Sequence, residues 1–231
     1  MNLVQIATFR GPLKEKFGIP RQSGLASALE GSIVFEPGFR DANALRGLEG
    51  FSHIWLLWGV SANRATGWTP TVRPPRLGGN TAMGVFATRS PYRPNPIGLS
   101  AVCINHIEVS TPDGPVIHVA GADLMDGTPI YDIKPYVTYA DARPDASSGF
   151  VDDTPWKPLT VVIPEDIRRQ ITDIEALEQI LAQDPRPQYH RTSPVMPDLI
   201  GHPQKEYGLA YGPWNIRFTV IEDTLTVLSI K

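Results

Sequence analysis

The chain has 231 residues, 42% of them hydrophobic, a net charge of −3 and one cysteine, Cys103. That is enough apolar content for a good core, or for a domain of about 140 residues with a smaller companion. The lone cysteine excludes an intramolecular disulfide and fits a reducing compartment. No apolar run approaches the roughly 20 residues that span a bilayer, and residues 1–10 show no signal-peptide pattern, so a soluble cytoplasmic protein without a membrane partner is expected.

Twenty-three prolines and 20 glycines point to many short strands and turns. In chain order, strands are expected at residues 3–8, 32–35, 53–60, 83–88, 100–109, 116–120 and 130–134, separated by Gly- and Pro-bearing turns. This spacing predicts an antiparallel β-barrel or sandwich. Helical turns fit 25–29 and 42–48, the latter behind Asp41 as a cap. The polar stretch 141–158 reads as an excursion and linker, which divides the chain into a β domain (1–143), a linker (144–158) and a smaller α+β domain (159–231). In the second domain Ile167, Ile171, Ile174, Leu177 and Leu181 recur on one face of a helix of about five turns. The sequence D-P-R-P at 184–187 stops it, and 215–221 and 224–230 read as a hairpin turning at Glu222-Asp223.

Charge is distributed unevenly. Between Gly50 and Ile107 there is no Asp or Glu, yet Arg64, Arg73, Arg76, Arg89 and Arg93 fall there. The remainder of this −3 chain therefore carries −8, and one basic segment in an acidic protein suits a specific anionic ligand. Its centre, M-G-V-F-A-T-R-S-P-Y-R-P-N-P-I-G-L-S-A at 83–101, is stiffened by Pro91, Pro94 and Pro96, each fixing φ near −65°. Such a loop loses little entropy when it binds, although solvated arginines on a Pro-rich turn would read the same way.

A second cluster, D-L-M-D-G-T-P-I-Y-D-I-K-P-Y at 123–136, opens with a turn. There Asp126 can accept backbone N–H groups and Gly127 can take a positive φ. If 130–136 is extended, Ile130, Asp132, Lys134 and Tyr136 share a face; a mere turn former and an exposed Asp132–Lys134 ion pair are the plainer alternative. Other chemistries are absent. No G-x-G-x-x-G, Walker or H-E-x-x-H motif occurs, the five histidines show no metal-ligand spacing, and Cys103 sits in an apolar strand pattern. Metal-free, non-covalent chemistry or pure binding is what remains.

Six motifs together resemble the TrmO family, also called YaeB or TsaA-like proteins: K-E-K-F-x-x-P-R-Q (14–22), R-G-L-E-x-F-S-H-x-W (46–55), T-V-R-P-P-R-L-G-G-N (71–80), G-V-F-A-T-R-S-x-x-R-P-N-P-I-G-x-S (84–100), D-G-T-P-x-x-D-I-K-P-Y (126–136) and D-P-R-P-x-Y (184–189). They follow the family's order and cover essentially the whole chain. The resemblance implies a small TsaA-like β-barrel with a C-terminal α+β domain, and an S-adenosylmethionine-dependent tRNA methyltransferase. Its substrate would be the exocyclic N6 of threonylcarbamoyladenosine beside the anticodon, in the tRNA anticodon stem-loop. It also implies a homodimer.

Carried over by motif, the cofactor would meet Pro20, Arg21, Gln22, Ser61, Ala62, Arg89, Leu99, Met125, Asp126, Gly127 and Thr128. Ser61-Ala62 departs from the His-Gln common among relatives, so only backbone contact transfers there. Asp126, Asp132 and Tyr136 are the catalytic candidates. Arg73, Arg76, Arg93, Asn95, Lys134, Arg186 and Tyr189 are the substrate-binding candidates, Lys134 and Arg93 toward the threonylcarbamoyl carboxylate. All cofactor motifs precede Pro158, so the first domain is expected to hold the cofactor by itself. The bare residues also admit a non-catalytic RNA-binding module with a vestigial pocket, or a nucleotide-binding interaction protein without an RNA partner.

Overall fold

Alternating apolar and polar residues in the first half of the chain close a barrel. In the computed structural model, which describes residues 2–60, 67–187, 191 and 205–231, strands β1 (Ala7–Arg10), β2 (Glu30–Phe35) and β3 (His53–Gly59) are followed by the short β4 (Thr71–Val72) and β5 (Met83–Gly84). Then come β6 (Ile97–Thr111), β7 (Gly114–Ala120) and β8 (Pro129–Pro135). Six of these form a closed barrel in the order β1-β2-β7-β6-β3-β8, while β4 and β5 pair with each other. The inward residues, including Phe9, Ile33, Ile54, Leu56, Val102, Ile117, Val119 and Ile130, make one buried cluster. The period of two that the sequence displays thus becomes an inside and an outside.

The barrel unit ends with α1 (Thr138–Asp141), and the second unit contains β9 (Thr160–Val162), α2 (Glu165–Arg168), α3 (Ile174–Ala182), β10 (Tyr207–Tyr211), β11 (Trp214–Ile221) and β12 (Thr224–Ile230). Its sheet runs β10-β11-β12-β9, with β9 parallel to β12. The architecture is mainly β, with a closed antiparallel barrel and a C-terminal α+β addition. The core of that addition also takes in Leu13, Ala26 and Leu29 from the barrel's own N-terminal segment. Gly212 N–H donates to Pro12 O at 2.9 Å, and Ala28 N–H to Gln179 Oε1 at 2.8 Å. Gly18, at φ +92°, lies so close to Leu209 that a Cβ would stand 2.2 Å from Cδ1. Each fully buried leucine contributes about 1.5–3 kcal/mol, so this segment is fixed by the C-terminal sheet as much as by the barrel.

Several expected elements differ in detail. The first strand begins at Ala7, since Leu3 and Val4 are exposed. The strand expected over 83–88 stops at Gly84, because β5 pairs only with Thr71 and Val72. Val85–Ala87 is a 3-10 turn instead, its Val85 carbonyl accepting both the N–H (3.2 Å) and the Oγ1–H (2.9 Å) of Thr88. The single helix expected over 167–181 is two, α2 and α3, broken near Thr172-Asp173. Ile167, Ile171, Leu177 and Leu181 are nonetheless all buried. The periodicity therefore marked the buried face correctly but not its continuity. Asp41 does cap Ala42–Leu45, accepting from Asn43 N–H at 2.9 Å. Cys103 is a free, half-buried thiol.

Candidate active site

At one barrel end the segment ahead of β2, the turn ahead of β8 and the arginine loop converge. The Asp126 backbone N–H donates to Leu13 O at 2.8 Å, Gly127 N–H to Phe9 O at 2.9 Å, and Gly24 N–H to Gly121 O at 2.8 Å. Asp126 Oδ1 accepts from Gly11 N–H at 3.2 Å, while Oδ2 lies 3.8 Å from Arg10 Nη1. Gly127 takes φ +77°, as the Asp-Gly turn requires. Thr128 is buried, its hydroxyl donating to Met125 O at 2.7 Å. Arg89 Nη1 donates to Gln22 Oε1, which ties the arginine loop to the P-R-Q segment behind the buried Pro20.

Sequence reasoning passed over Asp123 as a functional residue. Its Oδ1 accepts from Ser100 Oγ at 2.5 Å, and Ser100 in turn accepts from Trp58 Nε1 at 2.9 Å. Burial raises the Asp123 carboxyl above its ordinary range, against the lowering effects of Ser100, nearby backbone N–H groups including Ser23, and the Arg89 guanidinium. The signal was present, since Asp123 begins the D-L-M-D-G run, but a side chain aimed into a barrel wall cannot be told from a turn residue by spacing.

Polar and apolar surfaces meet at this end. Leu99 is 55% exposed and Phe86 71% exposed. Nothing lies within 4 Å of where a Cβ would stand on Gly127, so the turn presents open backbone. A guanidinium, two carboxylates, exposed apolar side chains and an uncovered turn fit S-adenosylmethionine, which carries a carboxylate, two positive centres and a flat base. Ser61 and Ala62 lie outside the described residues.

The other nominated residues spread over the molecule. The face expected to carry Ile130, Asp132, Lys134 and Tyr136 is broken by a bulge, because Leu57 pairs with Asp132 but Trp58 with Ile130. Tyr131 is the extra residue, and Ile130 turns into the core while Asp132 and Lys134 stay outside. Asp132 Oδ2 pairs with Lys134 Nζ at 2.9 Å on an exposed surface, a contact worth under about 1 kcal/mol. Tyr136 packs its ring against Trp55, centroids 5.6 Å apart. At about 3.3 Å per residue, Tyr136 lies some 20–25 Å along β8 from the Asp126 turn. The three catalytic candidates of one chain cannot all touch one reacting atom.

Among the arginines, Arg73 is exposed, and Arg76 is exposed with Nε donating to Thr154 O at 2.7 Å. Arg93 braces its own loop, donating to Val85 O at 3.1 Å and Thr88 O at 2.8 Å, with its guanidinium over the Phe86 ring. Asn95 is exposed. Arg186 is held by Asp184 through two bonds, 2.8 and 2.9 Å, with 12% of its side chain exposed, so little of it remains for a phosphate. Arg21 sits near the same carboxylate and near Arg76; lost hydration pulls its guanidinium below the ordinary range, Arg76 adds to that, and Asp184 opposes it. Tyr189 lies outside the described residues.

Comparison with known proteins decides the family. The profile of the tRNA-methyltransferase O N-terminal domain matches residues 8–142, and that of the TrmO C-terminal domain matches 157–231. This chain belongs to the TrmO family. It is 38% identical over 98% of its length to the tRNA (adenine(37)-N6)-methyltransferase of Escherichia coli K12, covering 96% of that protein. A Pseudomonas aeruginosa relative, named provisionally as an S-adenosylmethionine-dependent methyltransferase, is 44% identical over 82% of this chain and 83% of its own. A crystal structure of TrmO from the same species superposes with a TM-score of 0.77 at 34% identity, covering all of this chain and 96% of that one. Among the described residues no helix is long and apolar enough to cross a membrane.

Proposed function

We propose that this protein is an S-adenosylmethionine-dependent tRNA methyltransferase acting on N6 of adenosine 37, in the form that already carries a threonylcarbamoyl group. The observation that carries this reading is the convergence of Gln22, Arg89, Asp123 and the 125–128 turn at one barrel end, in a chain similar along its whole length to an enzyme named for that reaction. When bound, S-adenosylmethionine supplies a methyl group already activated by its sulfonium. The task of the protein is then alignment, which is worth up to about 7–11 kcal/mol without a covalent intermediate.

In this reading Arg89, steadied by Gln22, meets the cofactor's carboxylate, and Pro20, Arg21, Leu99 and Met125 to Thr128 border the rest of it. An adenine amine is a weak nucleophile, so a carboxylate that takes up its developing positive charge helps. Asp126 is that group, because it alone of the three candidates borders the turn. Asp132 and Tyr136 stand too far along β8 for that step. Arg73 and Arg76, both exposed, meet RNA phosphates, Lys134 is paired with Asp132 on the outside of β8, and exposed Asn95, in the same loop as Arg89, borders the substrate. A cytoplasmic homodimer completes the reading.

Incubation of the full chain with methyl-labelled S-adenosylmethionine and tRNA, with or without the threonylcarbamoyl group, tests it. Transfer confined to the modified tRNA is expected. Equal transfer to both tRNAs removes the threonylcarbamoyl requirement, and RNA binding without transfer makes the protein a binding module instead.

A further inference from the structure

On the barrel wall formed by β2, β6 and β7, strand register assembles three side chains that spacing alone keeps apart. His106 on β6 stands opposite His118 on β7, and Glu108 lies two residues further along β6. Ligand atoms of the three lie within 4.8 Å of one another. We propose that His106, Glu108 and His118 form a binding site for a late first-row divalent cation of the zinc class, outside the methyl-transfer site.

Three features support this. First, His118 Nε2 is buried and has no hydrogen-bond partner, an orphan that a native wall seldom keeps. Second, it faces Glu108 Oε2 at 3.6 Å. That is too long for a hydrogen bond, yet near the roughly 3.4 Å that separates two ligands held about 2.0–2.1 Å from a tetrahedral zinc. Third, the other ring nitrogen, Nδ1, lies 3.1 Å from Ser32 Oγ. A hydroxyl accepting from Nδ1–H leaves the lone pair on Nε2, the arrangement found behind metal-bound histidines.

The two histidines also border a cleft of about 570 Å³ with Glu30, Ser32 and Asn105, which leaves room for water as a further ligand. Two imidazoles and a carboxylate select zinc, nickel or copper over magnesium or calcium. The imidazoles now lie face to face, 8° apart with centroids at 4.1 Å. Sharing an ion requires one ring to turn until both lone pairs converge, and exposed His106 has the room to do so.

Calorimetric titration of the full chain with zinc chloride tests the site, together with cobalt(II) absorption and the histidine Hε1 resonances. One saturable equivalent is expected, with a tetrahedral cobalt spectrum, joint movement of the His106 and His118 signals, and a melting temperature that rises with zinc. Losing a second-shell partner typically weakens metal binding about 10–100-fold, so H106A and E108Q, both at exposed positions that leave the barrel core untouched, should each weaken it by at least about tenfold. No saturable equivalent, or parental affinity in H106A, overturns the proposal.

Discussion

The loop after β5 and the turn after α3 have similar composition, R-S-P-Y-R-P-N-P at 89–96 and D-P-R-P at 184–187, yet they treat their arginines oppositely. In the first, no acid lies nearby in sequence; Arg93 is spent on the backbone carbonyls of its own loop and Arg89 stays at the surface, joined to Gln22. In the second, Asp184 is buried and gathers Arg186 and Arg191, while drawing on Arg21. Proline fixes both backbones equally. What decides whether such a segment offers charge or hides it is one carboxylate, so the first loop suits a ligand and the second suits architecture.

The largest effect should come from Asp184→Ala, which leaves two nearly buried guanidinium groups without their counterion among the described residues. A loss of about 3–5 kcal/mol in chemical denaturation is expected. A loss below about 1 kcal/mol would show that Arg186 and Arg191 find solvent easily, and the contrast between the segments would dissolve. Next, Arg89→Ala should weaken S-adenosylmethionine by roughly 1–3 kcal/mol in calorimetric titration, the cost of one charged hydrogen bond, with little change in stability. Smaller again, Arg73→Ala and Arg76→Ala should each shallow the log–log dependence of tRNA affinity on salt by about one unit. Arg186→Ala should leave that slope alone, and a change there equal to the other two would place phosphate contact on the hidden side.

The smallest effect concerns pH. The Asp123 carboxyl is raised above its ordinary 3.8 by burial, so the folded state holds that proton more tightly than the unfolded chain does. Its contribution to stability is full below about 3.8 and is lost as pH rises through the folded value. Asp123→Asn should therefore gain stability relative to the parent across that rise, with Ser100 still donating to the amide oxygen. Parallel curves for the two proteins in pH-dependent melting would mean that Asp123 is ionised without penalty.

Much of this was legible in the sequence. The barrel strands, the Asp41 cap, the Asp126-Gly127 turn and the β11–β12 hairpin follow from period-two patterning and turn chemistry, which are local. What stayed hidden depends on register. The bulge at Tyr131, the meeting of His106 with His118, and the Trp58–Ser100–Asp123 chain exist only once strands far apart in sequence are aligned. The break between α2 and α3 was missed because burial of Ile167 to Leu181 is satisfied equally by one helix or two. The motif set drew its specificity from many short matches in order, and of the residues in them Gln22, Arg89 and the 125–128 turn meet at one barrel end, whereas Asp126, Asp132 and Tyr136 are scattered from that turn along β8.

The recruitment of Leu13, Ala26 and Leu29 into the C-terminal core has a consequence during synthesis. These residues share a cluster with Leu225 and Val227 of β12, so the segment carrying Pro20, Arg21 and Gln22 reaches its full packing only after β12, about 200 residues further along the chain, has been made. The barrel can close earlier, since none of its six strands lies beyond Pro135. A chain cut short of β9 therefore keeps the bonds of Leu13 and Gly24 to the barrel but lacks the core that packs Leu13, Ala26 and Leu29, so a fragment ending near Pro158 is expected to bind S-adenosylmethionine more weakly than the full chain in calorimetric titration. Equal affinity would show that the first domain holds the cofactor by itself.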